Sequence, residues 1–257
     1  MNSKDYGWMV FLSVISIGLS QGAVAEDFSS AKASATIDWS HLQLSVTGFS
    51  GAVPAVQYTN PSTLLGSLAF FETPQNVDRK SSGSWTDTIH TDSTHSGAAE
   101  AHAFASSSVF SGSTEVFAER IGAIAEAGGR REIDYSIDGP GMISLTVPYT
   151  LSVTLANCDC GYEAKIDAQA NFHAVGNAAN YGFSSVAELH RQSPFLNEES
   201  SKSGDLVVRI FAIGPCDGTL SVNFGLASVI PEPETHALLL AGLGLVGFMA
   251  RRSRQMS

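Results

Sequence analysis

The side chains of this 257-residue protein that could do chemistry are few. His90, Asp92, His95, Glu100 and His102 form the densest run of metal-binding types. Zinc is held by paired ligands at short, characteristic spacings, and this run fits none of them. On a strand Glu100 and His102 would share a face and offer only a loose site. Asp134 and Asp138, ahead of Gly139-Pro140-Gly141, lack the ligand spacing of a calcium loop. Solvated polar residues are therefore the expectation, with no metal and no cofactor. Gly48-Phe49-Ser50-Gly51 stops one residue short of a nucleophile elbow, and no glycine-rich phosphate loop is present. Carboxylate pairs for glycoside hydrolysis can be drawn in many ways, so no catalytic residue is assigned and enzyme activity is not expected. Trp39, Trp85, Tyr162 and Tyr181 either line a sugar-binding face or belong to the core.

Three cysteines remain: Cys158, Cys160 and Cys216. Their chemistry depends on the compartment, which the N-terminus specifies. Met1 and Lys4 lead into an apolar stretch from Trp8 to Leu19 and then Ala23-Val24-Ala25, the small residues that a signal peptidase reads. The apolar run reaches about 18 Å as a helix, short of a bilayer core of about 30 Å. Residues 1–25 thus read as a signal peptide cut after Ala25, which implies passage through the Sec translocon and processing by signal peptidase. Beyond it the thiols meet an oxidising compartment. A bridge from Cys216 to Cys158 or Cys160 is expected, on the premise that the turns bearing them share one end of the fold. It would close a long loop for about 3–5 kcal/mol in the chain-entropy model. One thiol would be left over.

At the other end, Ile230-Pro231-Glu232-Pro233-Glu234 precedes an uncharged stretch from Ala237 to Ala250 and then Arg251-Arg252-Ser253-Arg254. Prolines 231 and 233 keep any helix from extending backwards. Three arginines within four residues cannot enter lipid and favour the cytoplasmic face. The expected arrangement is a transmembrane helix over 235–250, an arginine stop at Arg251, Arg252 and Arg254, and the body outside the inner membrane. Pro231 and Pro233 would hold Glu232 in extended backbone, the form that a protease or transpeptidase grips.

A Pro-Glu-Pro tripeptide, an apolar helix and a terminal arginine cluster, in that order, resemble the PEP-CTERM sorting signal of Gram-negative bacteria. The likeness covers 230–254, with isoleucine where the family commonly has valine before the tripeptide. It implies that exosortase, a membrane-embedded enzyme, recognises Pro231, Glu232 and Pro233 and that the tail is removed near them. It further implies a transient inner-membrane anchor, a mature form at the cell surface or in the extracellular matrix, and a link to exopolysaccharide or biofilm.

The body, 26–229, is expected to be one exported β domain. Apolar residues make up 44% of the chain, enough for a real core, and charged residues only 15%. Removing Lys4, Asp5 and the three terminal arginines leaves, over 26–234, 10 Lys and Arg against 24 Asp and Glu. Such an acidic body disfavours nucleic acid as a partner. Alternation of period two is clearest over Met142–Ala156, where Pro148 predicts an edge position or a break. It recurs at Ile166–Ala174, Leu206–Ala212 and Leu220–Leu226. Shorter candidates are Ile133–Ile137, Trp85–Ile89 and Thr36–Val46, the last with a bulge after Trp39. Alternating alanines over 98–127 favour a long hairpin over a helix, with Ser111-Gly112-Ser113 as a turn or strand end. Ser185-Val186-Ala187-Glu188 reads as a capping box opening a short helix. Asp78–Ser96 and Asn197–Gly204 read as exposed loops. Together these predict a mainly β, antiparallel β-sandwich or jelly roll. Its expected role is non-enzymatic, in the cell envelope or matrix, with a glycan-binding module or a secreted hydrolase as alternatives.

Overall fold

The structure, a computed structural model, describes residues 30–49, 51–72, 75–117, 122–156, 165–176, 180–183, 185–192 and 198–230. The chain forms β1 (Ser30–Asp38), a 3-10 turn (Trp39–His41), β2 (Gln43–Gly48), β3 (Val56–Phe70), β4 (Asn76–Ser82), β5 (Ile89–His95) and β6 (Ala99–Ala105). It continues through β7 (Val109–Phe117), β8 (Ile124–Ile137), β9 (Gly141–Ala156), β10 (Lys165–Gly176) and β11 (Asn180–Phe183). The last strands are β12 (Ser185–Gln192), β13 (Glu198–Ala212) and β14 (Cys216–Val229). All pairings are antiparallel and make two sheets packed as a sandwich. The eight-stranded sheet runs β11-β13-β9-β1-β7-β6-β5, with β2 also on β9, and the six-stranded sheet runs β12-β10-β14-β8-β3-β4.

Small residues set the fit between the sheets. Ala31, Ala33 and Ala35 of β1, Ala99, Ala101, Ala103 and Ala105 of β6, and Ala123, Ala125 and Ala127 leading into and along β8 are all buried. Alternation, not helical propensity, decides these segments, because a strand can bury every second alanine on one face. The space that alanine leaves is filled from across the gap. The rings of Phe110 and Phe224 meet edge to face at 4.8 Å. A Cβ on Gly129 would lie 2.6 Å from both rings, and one on Gly112 would lie 2.4 Å from Phe224. Those glycines are the sockets into which the two phenylalanines fit. Two buried hydroxyl pairs tie the sheets together, Thr114 to Ser228 at 2.8 Å and Ser67 to Ser93 at 2.9 Å. Each satisfies groups that would be costly to bury alone.

One charge is inside. Arg131 of β8 is 0% exposed. Its guanidinium lies 5.1 Å from the ring centres of both Trp39 and Phe110, and Nη2 donates to the Ser106 carbonyl. Nε and Nη1 have no hydrogen-bond partner. Burial lowers its pKa to about 10, which leaves it charged at neutral pH. Trp39 stacks edge-on against Trp85 at 4.8 Å, and Trp85 Nε1 donates to the carbonyls of Ser62 and Glu132, both at 3.0 Å. These two tryptophans are core and sandwich-end residues rather than an open sugar-stacking face.

Several segments depart from the sequence-based expectation. Asp78–Ser96 supplies most of β4 and all of β5 instead of a loop, and 83–88 forms the turn between them where Trp85–Ile89 was read as a strand. Asn197–Gly204 enters β13 at Glu198, and Ser185–Glu188 opens β12 instead of a helix. Ser111-Gly112-Ser113 lies inside β7. The expected bulge after Trp39 is a full 3-10 turn, capped by Asp38, whose carboxylate accepts from Ser40 N at 3.1 Å. Pro148 sits in a central strand, not at an edge. Its break is real, however: β9 pairs with β1 from Tyr149 onward and with β2 up to Thr146, so Val147 and Pro148 face the interruption between them.

Three substitutions test this packing by urea denaturation. Gly129→Ala drives a methyl into Phe110 and Phe224 and is expected to cost about 1–3 kcal/mol. Arg131→Met keeps the volume and drops the charge, so stability should stay within about 1 kcal/mol of the parent or rise. Arg131→Ala leaves a hole and should cost about 2–5 kcal/mol.

Candidate functional site

The broadest polar feature is the outer face of the eight-stranded sheet. Residues that share a face line up across paired strands, so the register assembles rungs from distant parts of the chain. Ser113 lies opposite Ser34, Ser34 opposite Ser152, and Ser152 opposite Ser201. One step along, Ser111, Thr36, Thr150 and Ser203 form a parallel rung. A third holds Glu115, Lys32, Thr154 and Glu199, with Lys32 Nζ 2.8 Å from Glu115. Four strands thus present a flat grid of hydroxyls, with neighbouring rows about 4.8 Å apart. A shallow, open depression of about 260 Å³ lies in it, lined by Lys32, Ser34, His102, Ser113, Glu115 and Ser152 among others. That is smaller than the clefts of about 300–1,000 Å³ that enclose small ligands.

The sequence pointed to one of the four strands of this grid, the polar face of β9 from Ser144 to Thr154. The rest was hidden because Ser111 and Ser113 read as a turn, and Ser201 and Ser203 as a loop. Serine and glycine alternating in β7 carry no apolar signal, and β13 begins with polar residues on both faces.

At the sheet edge the rungs continue into β6 and β5. Asp92 lies opposite His102, and His102 opposite Ser113. His102 Nδ1 is 2.7 Å from the Asp92 carboxylate, His90 Nε2 is 3.6 Å from it, and Glu100 is 3.8 Å from His102 Nε2. The hydrogen bond with His102 holds Asp92 below the usual carboxylate range. These side chains are 40–61% exposed, so water competes for every one of them. His95 stands apart, its ring edge-on to Phe71 at 5.8 Å. Of the proposed calcium pair, Asp138 accepts from Ala55 N at 2.8 Å, while Asp134 accepts from Asn60 Nδ2 and Thr219 Oγ1, both at 3.0 Å. The two carboxylates fasten different turns.

Cys216 is buried at the start of β14, opposite Ile137. Cys158 and Cys160 lie outside the described residues, as does Tyr162, and Tyr181 is described only as part of β11. The expected bridge from Cys216 to Cys158 or Cys160 therefore lies outside the described residues. Ala156 ends β9 beside Ser30, and Lys165 opens β10 opposite Val229, at the far end of the 14-residue β14 from Cys216.

The chain leaves the sandwich at that same far end. Ile230 is buried, donates its N–H to the Ala123 carbonyl at 3.1 Å and accepts from Gly122 N at 2.8 Å. The next residue, Pro231, has no N–H and cannot extend the ladder. The last sheet contact and the Pro-Glu-Pro tripeptide are therefore adjacent in the chain. The tripeptide, the apolar stretch 235–250, the arginines and the leader with Ala23 and Ala25 fall outside the described residues. Among the described residues no helix is long and apolar enough to cross a membrane.

Compared with known proteins, the chain matches no curated protein and no solved structure. One family model matches: the PEP-CTERM protein-sorting motif, over residues 229–254. The match begins at the last residue of β14 and leaves the sandwich itself unassigned. Residues 229–254 are a PEP-CTERM sorting motif, which implies an exported protein that exosortase processes and that is sorted to the cell surface.

Proposed function

We propose that this is a non-enzymatic protein of the cell envelope or extracellular matrix that lies against exopolysaccharide through the hydroxyl grid of its eight-stranded sheet. The observation that carries this reading is the alignment of Ser113, Ser34, Ser152 and Ser201 beside Ser111, Thr36, Thr150 and Ser203. Each hydroxyl both donates and accepts, which suits a polymer that is itself covered in hydroxyls. A flat grid with a shallow depression fits a chain laid along it better than a small molecule enclosed by it. The reading replaces buried Trp39 and half-buried Trp85, which pack edge to face against each other, as the glycan contact.

The account of export follows the motif. The leader is cut after Ala25, the apolar segment 235–250 holds the precursor in the inner membrane, and Glu232 between its two prolines is the handle for exosortase. Because Ser30 and Ile230 both lie at one end of the sandwich, tethering there leaves the sheet faces open.

Two measurements test these points. Glu232→Ala, or deletion of residues 251–254, is expected to leave full-length protein in the inner-membrane fraction; normal release with unchanged mobility would contradict the handle. In pull-downs with the host's own exopolysaccharide, the parent should be retained and Ser113→Glu/Thr150→Glu should lose most retention while keeping its circular dichroism. Equal retention of both, or none by the parent, would refute the grid.

A further inference from the structure

The eight-stranded sheet has a notch beside β2. On β9, β1 and β2 occupy successive stretches of the same edge, Tyr149–Ala156 and Gly141–Thr146. β7 covers the outer side of β1 from Ser30 to Asp38 and goes no further. The β6–β7 turn closes there, with Ser40 N donating to the Ser108 carbonyl at 3.1 Å. Past that point β2 pairs, among the described residues, with β9 alone. Six residues of strand edge, about 20 Å long, offer their backbone groups to an incoming strand.

Open strand edges are pairing templates, and proteins normally guard them with charge. Three of the other edges carry charge: β4 has Asp78, Arg79 and Lys80, β5 has His90 and Asp92, and β12 has Glu188, while the uncharged edge β11 is only four residues long. β2, reading Gln43-Leu44-Ser45-Val46-Thr47-Gly48, has no charge and no proline. It is also apolar where it should be covered. Leu44 lies opposite Leu145, whose side chain is buried in the core, yet Leu44 is 49% exposed. Phe49 and Val53, just beyond the strand, are 57% and 66% exposed. Exposed apolar groups along a bare edge suit an interaction surface.

We propose that β2 pairs antiparallel with β2 of a second copy of this chain, about a two-fold axis at Ser45, joining two eight-stranded sheets into one. Of the registers that keep the two faces matched, the one centred on Ser45 sets both apolar residues of the strand against each other. With Ser45 opposite itself, Leu44 meets Val46 on the core face and Gln43 meets Thr47 on the outer face. Shifting the centre by half a step sets Leu44 against Thr47 and mixes the faces. Charge points to the same occupant. A chain with 24 acidic against 10 basic residues over 26–234 repels its own copies over most of its surface, and this uncharged strand is where two of them can approach. Six-residue pairing is modest in area. Sorting many copies to one surface raises their effective concentration.

Cysteine cross-linking of the full-length protein in its own host tests the register. Opposed residues in an antiparallel pair have Cα atoms about 4.5–5.5 Å apart, within disulfide range. Ser45→Cys is expected to give a reducible dimer on mild oxidation, well above the level of the parent with its native cysteines. Gln43→Cys or Thr47→Cys alone should not, because the like positions are about 13 Å apart. Co-expressing the two should restore the dimer, and adding Val46→Lys to Ser45→Cys should reduce it to the parental level. No dimer from Ser45→Cys, or equal dimer from all three single variants, would overturn the proposal.

Discussion

The gap between two β-sheets has to be filled, and here it is filled by opposing very small residues to a few large ones. Alanine at every second position of β1, β6 and β8 leaves room into which Phe110 and Phe224 extend, and Gly112 and Gly129 accept their rings. The rest of the molecule follows from that arrangement. Inward positions are committed to packing, so the outward ones are free to be serine and threonine, and antiparallel register turns them into a grid. Where a large polar group does enter the core, at Arg131, it is sandwiched by Trp39 and Phe110 and tied to the Ser106 carbonyl. Buried Trp39 and half-buried Trp85 close one end of the gap.

The second constraint is where the chain enters and leaves. Ser30 and Ile230 lie at one end, close to the Thr114–Ser228 pair that links the sheets. Ile230 makes the final sheet hydrogen bonds and Pro231 forbids another. The sorting motif thus starts at the last residue of β14. The bare edge of β2 and the exposed side chains of Phe49 and Val53 lie toward the opposite end, beside Gly141 and Pro140.

Strands with one apolar face were legible in the sequence. β9, β10, β14 and the second half of β13 are close to where alternation put them, and the alanine strands are strands. Polar strands were not. β4 and β5 fully bury only the small hydroxyl side chains of Thr91 and Ser93, so most of their residues resemble those of a loop. β12 opened with a capping-box pattern that tertiary pairing to β10 overrode. β3 was missed because Asn60, Pro61 and a register shift near Thr59 disguise its first half. The sorting motif was legible because its parts are defined by local chemistry and order. The hydroxyl grid was only partly legible, since register between distant strands creates it.

The central claim is that this sandwich is exported and then cut loose from a membrane tail. Intact mass of the protein released at the cell surface tests it most directly. The account predicts a chain that starts at Glu26 and ends near the Pro-Glu-Pro tripeptide, without Arg251, Arg252 and Arg254. A surface form that still carries those arginines would contradict it.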